Sequence, residues 1–187
     1  MIPSMNVWRP CDSVESAVSW KAAIEHRDGP SCLVFSRQAL AHQQRSAEQI
    51  DAISKGGYVL RECEGTPDAI IIATGSEIEL AMDAVQSEAL SEQNIRVVSM
   101  PCTAVFDRQT VEYRESVLPA NVTARVAVEA AVSEGWHKYV GLNGAVIGID
   151  TFGESAPAKE LFAYFGFTVN KVVEAVNKVT GTKIEQA

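Results

Sequence analysis

The sequence is poor in the residues that most often declare a function. Its four cysteines, Cys11, Cys32, Cys63 and Cys102, are scattered, with no Cys-x-x-Cys pair and no histidine at metal-ligand spacing. That excludes a zinc-finger or disulfide-framework reading and leaves reduced, structural thiols. Three histidines, His26, His42 and His137, stand far apart and at no catalytic spacing from a serine, cysteine or aspartate. Positive charge is in deficit: 16 Lys and Arg against 24 Asp and Glu leave a net charge of −8. A nucleic-acid partner is excluded on that ground, because a phosphate backbone needs a basic face. No apolar run reaches the roughly 20 residues that span a bilayer, so no membrane partner is expected. The start, "MIPSMNVWRPCDS", has neither the basic region nor the apolar core of a signal peptide. A cytoplasmic setting is therefore expected. Neither GxGxxG nor GxxxxGK[ST] occurs, so a nucleotide fingerprint is also absent.

What is present reads as alternating strands and helices. Hydrophobic residues make up 47% and charged residues 21% of 187, enough to build one sizeable core or two small ones. "CDSVESAVSWKAAIEHRDGP" predicts a helix with Asp12 as N-cap, Glu15 at capping-box spacing, and a partial stripe of Val14, Ala17, Val18 and Ile24. "SCLVFS" predicts a short strand, and "SAEQIDAIS" a short helix capped by Ser46 and Gln49. "AIIIAT" (69–74) is an apolar run of the kind buried on both faces of a parallel sheet. Strands are also expected at 94–100, 124–130 and 144–150. Helices are expected after Gly75, within "FDRQTVEYRESVL", from Ser155 with Pro157 in its first turn, and over "TVNKVVEAVNKVTG" with Gly181 as C-cap. Short connections between such elements predict an α/β fold, an open sheet with helices on both faces.

Four places carry candidate chemistry. Gly75 and Ser76 lie between a buried strand and a helix N-terminus, a natural anion site, although capping by Ser76 toward Glu79 accounts for them equally. Glu129 ends the buried run "VAVEAAV" and is read as an ion-paired or hydrogen-bonded group at the carboxyl end of the sheet, where ligands collect. The aromatics Phe152, Phe162, Tyr164, Phe165 and Phe167 read as core or interface. In "LVFSRQAL" a buried strand delivers Arg37 to a strand end. A planar guanidinium suits an oxyanion, and a plain surface charge is the alternative.

Together, "WRPCDSVESAVSWKAAIE", "DGPSCLVFSRQAL", "IIIATGSEIELA", "VVSMPCTAVFDRQ", "YRESVLP", "RVAVEAAVSEGWHKYVGLNGAVIGIDTFGESAP" and "LFAYFGFTV" resemble the C-terminal part of a transketolase over essentially the whole chain. The resemblance implies a three-layer, mixed, mostly parallel sheet at residues 66–187, the family's C-terminal domain. Before it stand an incomplete α/β piece of the pyrimidine-binding domain at 1–53 and a connector at 54–65. It implies transfer of a two-carbon ketol unit between sugar phosphates, with thiamine diphosphate and a divalent metal, magnesium or calcium, in a homodimer. Arg37 matches the family's arginine that contacts the substrate phosphate. No residue matches a catalytic, cofactor-binding or metal-binding position. The motifs for the diphosphate and metal, the glutamate that activates the cofactor and the proton-handling histidines are expected upstream. The chain is accordingly expected to be a fragment, natural or made for expression, or one subunit of a split enzyme, with a fragment favoured. Alone it is expected to bind no cofactor and to be inactive. A non-catalytic dimerisation or small-anion regulatory domain is the competing reading.

Overall fold

The computed structural model describes residue 2 and residues 4–182. The chain begins with a strand β1 (Asn6–Trp8), a helix α1 (Ser13–Glu25) and a strand β2 (Ser31–Leu33), and β1 and β2 pair in parallel as a two-stranded sheet. Helix α2 (Ala47–Ile53) leads to β3 (Tyr58–Arg61), β4 (Ala69–Ala73), α3 (Glu77–Gln86) and β5 (Ile95–Ser99). Two short helices, α4 (Thr103–Asp107) and α5 (Val111–Val117), precede β6 (Arg125–Val128). Helix α6 (His137–Val140), β7 (Ala145–Ile147), α7 (Ala158–Phe165) and α8 (Val169–Thr180) follow.

Five strands form one sheet in the order β3-β5-β4-β6-β7, parallel except for β3, which runs antiparallel to β5 at the edge. Strand β4 is central, and none of its five side chains is exposed. Ala69, Ile71 and Ala73 face α3 and α8, where Ile78, Ala81, Val172 and Val176 pack. Ile70 and Ile72 face the opposite layer, built on Phe106, Val117, Trp136 and Tyr139. Burying each isoleucine contributes roughly 1.5–3 kcal/mol, so a continuous apolar run at this position fixes the layer order.

Local chemistry explains most element ends. Asp12 accepts from the Glu15 N–H at 3.0 Å, Ser46 and Gln49 form a reciprocal capping box, and Gly181 closes α8 at φ +73°. The helix expected within residues 106–118 is α5, started by Thr110, which accepts from Tyr113 N–H. Two other expectations, for the start of α7 and the buried face of α1, are corrected. Helix α7 begins at Ala158 with Pro157 as its extended cap, since the residue before a proline avoids helical geometry. Among the aromatics, Phe167 is buried and Phe162 and Phe165 pack against the core, whereas Phe152 is 96% and Tyr164 74% exposed. In α1 it is Glu15 and Ser19 that are buried, whereas Ala17, Trp20 and Ile24 are exposed.

Strand β3 was absent from the expectations, although Tyr58 and Leu60 alternate inward. It falls inside 54–65, so the connecting segment supplies the sheet's edge strand.

Candidate functional site

Arg37 lies on an exposed bend that follows β2. The bend is held at both ends. Val34 N–H donates to Trp8 O at 2.8 Å, and Gln43 N–H donates to Asp12 Oδ2 at 3.0 Å. Between these anchors the Arg37 side chain makes no hydrogen bond or ion pair among the described residues, so its fork is free for a ligand. Beside the bend is a cavity of about 160 Å³ whose lining includes Asp12, Ser13, Ser16, Ser36 and Gln38. The recess is polar, but Arg37 is not among the residues that line it, and the Asp12 carboxylate is.

Asp12 is the hub of that anchor. Its Oδ1 caps α1, and its Oδ2 also accepts from Arg45 Nη1 at 2.6 Å and lies 3.4 Å from His42 Nδ1. Burial opposes the charge on Asp12, but the N–H groups of Gln43 and Glu15 and the Arg45 guanidinium outweigh it and hold its pKa below the usual range. Behind Asp12 the network continues inward. Arg45 Nε donates to the Tyr58 hydroxyl at 2.7 Å, and Tyr58 donates to Glu15 Oε1 at 2.7 Å. Ser99 donates to the same oxygen at 2.6 Å, and Cys11 N–H to Oε2 at 2.7 Å. Burial raises the Cys11 thiol and the Tyr58 phenol well above their usual pKa values, which keeps both neutral.

A second polar cluster sits where the sheet changes direction. The chain passes from β5 across β4 to β6, so the carboxyl ends of β4 and β6 border the crevice typical of ligand sites in open α/β sheets. Arg9 occupies it. Its Nη1 bonds Glu129 Oε1, its Nη2 lies 3.5 Å from Glu77 Oε2, and Glu129 Oε2 accepts from Trp136 Nε1. Glu129 is thus the paired carboxylate its position suggests. Burial raises the Glu77 pKa, against the pull of Arg9. A cavity of about 740 Å³ opens beside the cluster.

The same arrangement occupies Gly75 and Ser76. Gly75 N–H donates to Arg9 O at 3.0 Å, and the Ser76 hydroxyl donates to Glu77 Oε1 at 3.2 Å. Ser76 makes no side-chain cap. It already has helical backbone angles because the turn closes one residue earlier, with Ile78 N–H donating to Gly75 O. A capping box with Glu79 therefore does not form.

The remaining candidates stay apart. His26 caps α1 and lies 3.2 Å from the Ser31 hydroxyl, His42 is exposed beside Asp12, and His137 is exposed at the start of α6. All four cysteines are free. Among the described residues no group of three or more His, Cys, Asp or Glu could hold a metal ion.

The sequence model of the transketolase-like C-terminal domain matches residues 56–168, and that of the transketolase pyrimidine-binding domain matches residues 1–43. The chain belongs to the transketolase family. Transketolase 1 of Vibrio vulnificus strain YJ016 is 57% identical over 96% of this chain, which covers 27% of that protein. The chain thus spans about a quarter of the length of such curated relatives. The Pichia stipitis transketolase solved in complex with sedoheptulose 7-phosphate superposes with a TM-score of 0.86 at 38% identity, covering 96% of this chain and 25% of that one. A split-gene transketolase, described as an inactive β4 tetramer, superposes with a TM-score of 0.65 at 25% identity over 98% of this chain and 60% of its own.

Within this transketolase chain, sequence reasoning missed Arg9 and the Asp12–Arg45–Tyr58–Glu15–Ser99 network. The only signal for Arg9 was a cation between a large aromatic and a proline in "WRP". For Glu15 there was none beyond its capping-box spacing.

Proposed function

We propose that this chain is the C-terminal portion of a working transketolase, in which Arg37 binds the phosphate of the sugar substrate. The observation that carries the reading is the free guanidinium of Arg37 on a bend anchored at Val34 and Gln43. The anchored backbone fixes where the arginine stands, and its planar fork can present two parallel N–H donors to a phosphate. The complete protein transfers a two-carbon ketol unit between sugar phosphates in the cytoplasm, as a homodimer, with thiamine diphosphate and a divalent metal. In this reading the diphosphate and metal ligands belong to the remainder of the protein. We divide the chain at residue 53, with 54–65 as connector and 66–187 as the C-terminal domain.

The face of α1 and β2 supports a partner of this kind. Trp20 and Phe35 stack with ring centroids 6.2 Å apart, are 54% and 44% exposed, and stand beside exposed Ile24 and Val34. The remainder of a pyrimidine-binding domain covers such a face, whether it arrives on the same chain or on a separate subunit. The split-gene relative favours keeping the second arrangement in view.

The test joins this chain to the upstream three-quarters of a relative, fused or co-expressed, and measures ketol transfer. Arg37→Ala is expected to raise KM for phosphorylated acceptors about ten- to a hundredfold, the loss of one charged hydrogen-bonded contact. KM for unphosphorylated acceptors should stay nearly unchanged. An equal loss for both acceptors would make Arg37 structural, and tight thiamine diphosphate uptake by the chain alone would overturn the division of labour.

A further inference from the structure

Near the first residue of β6, between α5 and α6, lies a cavity of about 430 Å³ that shares no residue with the Arg37 bend. Two of its guanidinium groups have no carboxylate within ion-pair distance among the described residues. Arg125 is fixed by backbone carbonyls alone, donating to Val122 O at 2.8 Å, Tyr139 O at 2.7 Å, Pro119 O at 2.9 Å and Leu118 O at 3.2 Å. Carbonyl dipoles orient the ion without neutralising it. Burial also pulls the Arg125 pKa below its usual value, against the opposing pull of the Glu115 carboxylate.

Arg114 is the second. Its Nε is buried and meets no acceptor among the described residues. A buried N–H of this kind costs stability unless a water or ion completes it. The carboxylates that share the cavity are already engaged. Asp107 accepts from Lys138 at 2.5 Å and from the Tyr139 hydroxyl at 2.8 Å, and Glu115 accepts from Ala120 N–H at 2.9 Å. Three cations against two carboxylates leave a local surplus of positive charge in a chain of net charge −8. Phe106 and Leu118 supply apolar walls, which strengthen an electrostatic contact by excluding water.

We propose that this cavity is an oxyanion site, in which Arg114 offers its planar fork to a phosphate or carboxylate group and Arg125 supplies a fixed positive field. The volume exceeds that of a bare anion and suits a small metabolite carrying such a group.

The test follows the arginine Nε–H resonances of the 187-residue chain by proton–nitrogen NMR while inorganic phosphate, or separately malonate, is added. A saturable shift of the Arg114 resonance is expected. Arg114→Gln should weaken binding about ten- to a hundredfold, with Arg114→Lys in between, because lysine keeps the charge and loses the fork. A response to phosphate assigns a phosphorylated ligand, and a response to malonate alone assigns a carboxylate. Arg37→Gln should leave the Arg114 titration unchanged, so failure here is distinguishable from failure of the substrate-phosphate reading. An Arg114 resonance unmoved by either anion at tens of millimolar, or equal affinity in wild type and Arg114→Gln, would overturn the proposal.

Discussion

Glu15→Ala puts the polar network to a quantitative test. Glu15 is fully buried, and its carboxylate accepts from Cys11 N–H, the Tyr58 hydroxyl and the Ser99 hydroxyl, with Arg45 Nη2 at 3.5 Å. Truncation strands those three donors in a core that holds Tyr58 at 1% and Ser99 at 0% exposure. Each unsatisfied donor costs about 1–3 kcal/mol, but the two hydroxyls can rotate, and Arg45 keeps Asp12 as a counter-ion. A net loss of about 3–5 kcal/mol is therefore expected, the range for breaking a buried charged contact. Against a total stability of roughly 5–15 kcal/mol, that is a large fraction.

Urea unfolding followed by circular dichroism and by tryptophan fluorescence measures it. The tryptophans report on both halves of the question, since Trp8 and Trp20 lie in the first segment and Trp136 under the five-stranded sheet. One shared transition is expected in the wild type, with separate transitions once Glu15 no longer joins α1 to β3 and β5. Glu15→Gln retains one acceptor oxygen but turns an amide donor toward other donors, so an intermediate loss is expected. A double-mutant cycle with Tyr58→Phe should give a coupling of about 0.5–3 kcal/mol. A loss for Glu15→Ala below about 1 kcal/mol, or strict additivity with Tyr58→Phe, would refute the reasoning.

Asp12→Asn should cost about 1–3 kcal/mol at neutral pH through the weakened cap and the lost Arg45 pair. Because the folded pKa of Asp12 is lowered from 3.8, its contribution is present above that value and fades as pH falls through the folded value, so wild type and variant should converge in acid urea melts. Glu77 has the opposite sign. Its folded pKa is raised from 4.5, so stability declines as pH rises from that value to the folded one, and Glu77→Gln should raise the urea midpoint at pH 7 more than at pH 4. Gly56→Ala should destabilise by at least about 2 kcal/mol in the same assay, because φ is +82° and a Cβ there would stand 2.4 Å from Cys102 O.

Legibility in the sequence followed the range of the interactions. The apolar run of β4, the Asp12 and Ser46 caps and the glycine end of α8 depend on neighbours a few residues away, and each stands where local pattern put it. Ser76 shows where local pattern fails. Its spacing to Glu79 suits a capping box, but the turn closing on Gly75 had already made Ser76 helical and left its hydroxyl to Glu77. Local pattern made Arg37 legible only as a cation at a strand end, because a guanidinium without a partner in its own chain looks the same whether it meets solvent or substrate. Its phosphate role came from the family resemblance.

The larger miss has a common physical origin. Glu15 meets partners 43 and 84 residues away, and Arg9 meets Glu77 and Glu129 at separations of 68 and 120. A carboxylate in mid-helix and an arginine in a loop look like surface charges until such partners are known, since burial of either alone would be prohibitive. The same contacts bear on how the chain divides. Family boundaries leave residues 1–43 with one domain and 56–168 with another. The ionic and hydrogen-bonded contacts run across that boundary, tying the first segment to β3, β5 and the crevice at the ends of β4 and β6. A change to Arg9, Asp12 or Glu15 is therefore felt in the sheet as well as at the bend that carries Arg37. The arginine that meets substrate in the proposed enzyme is thus anchored through the core of the domain beside it.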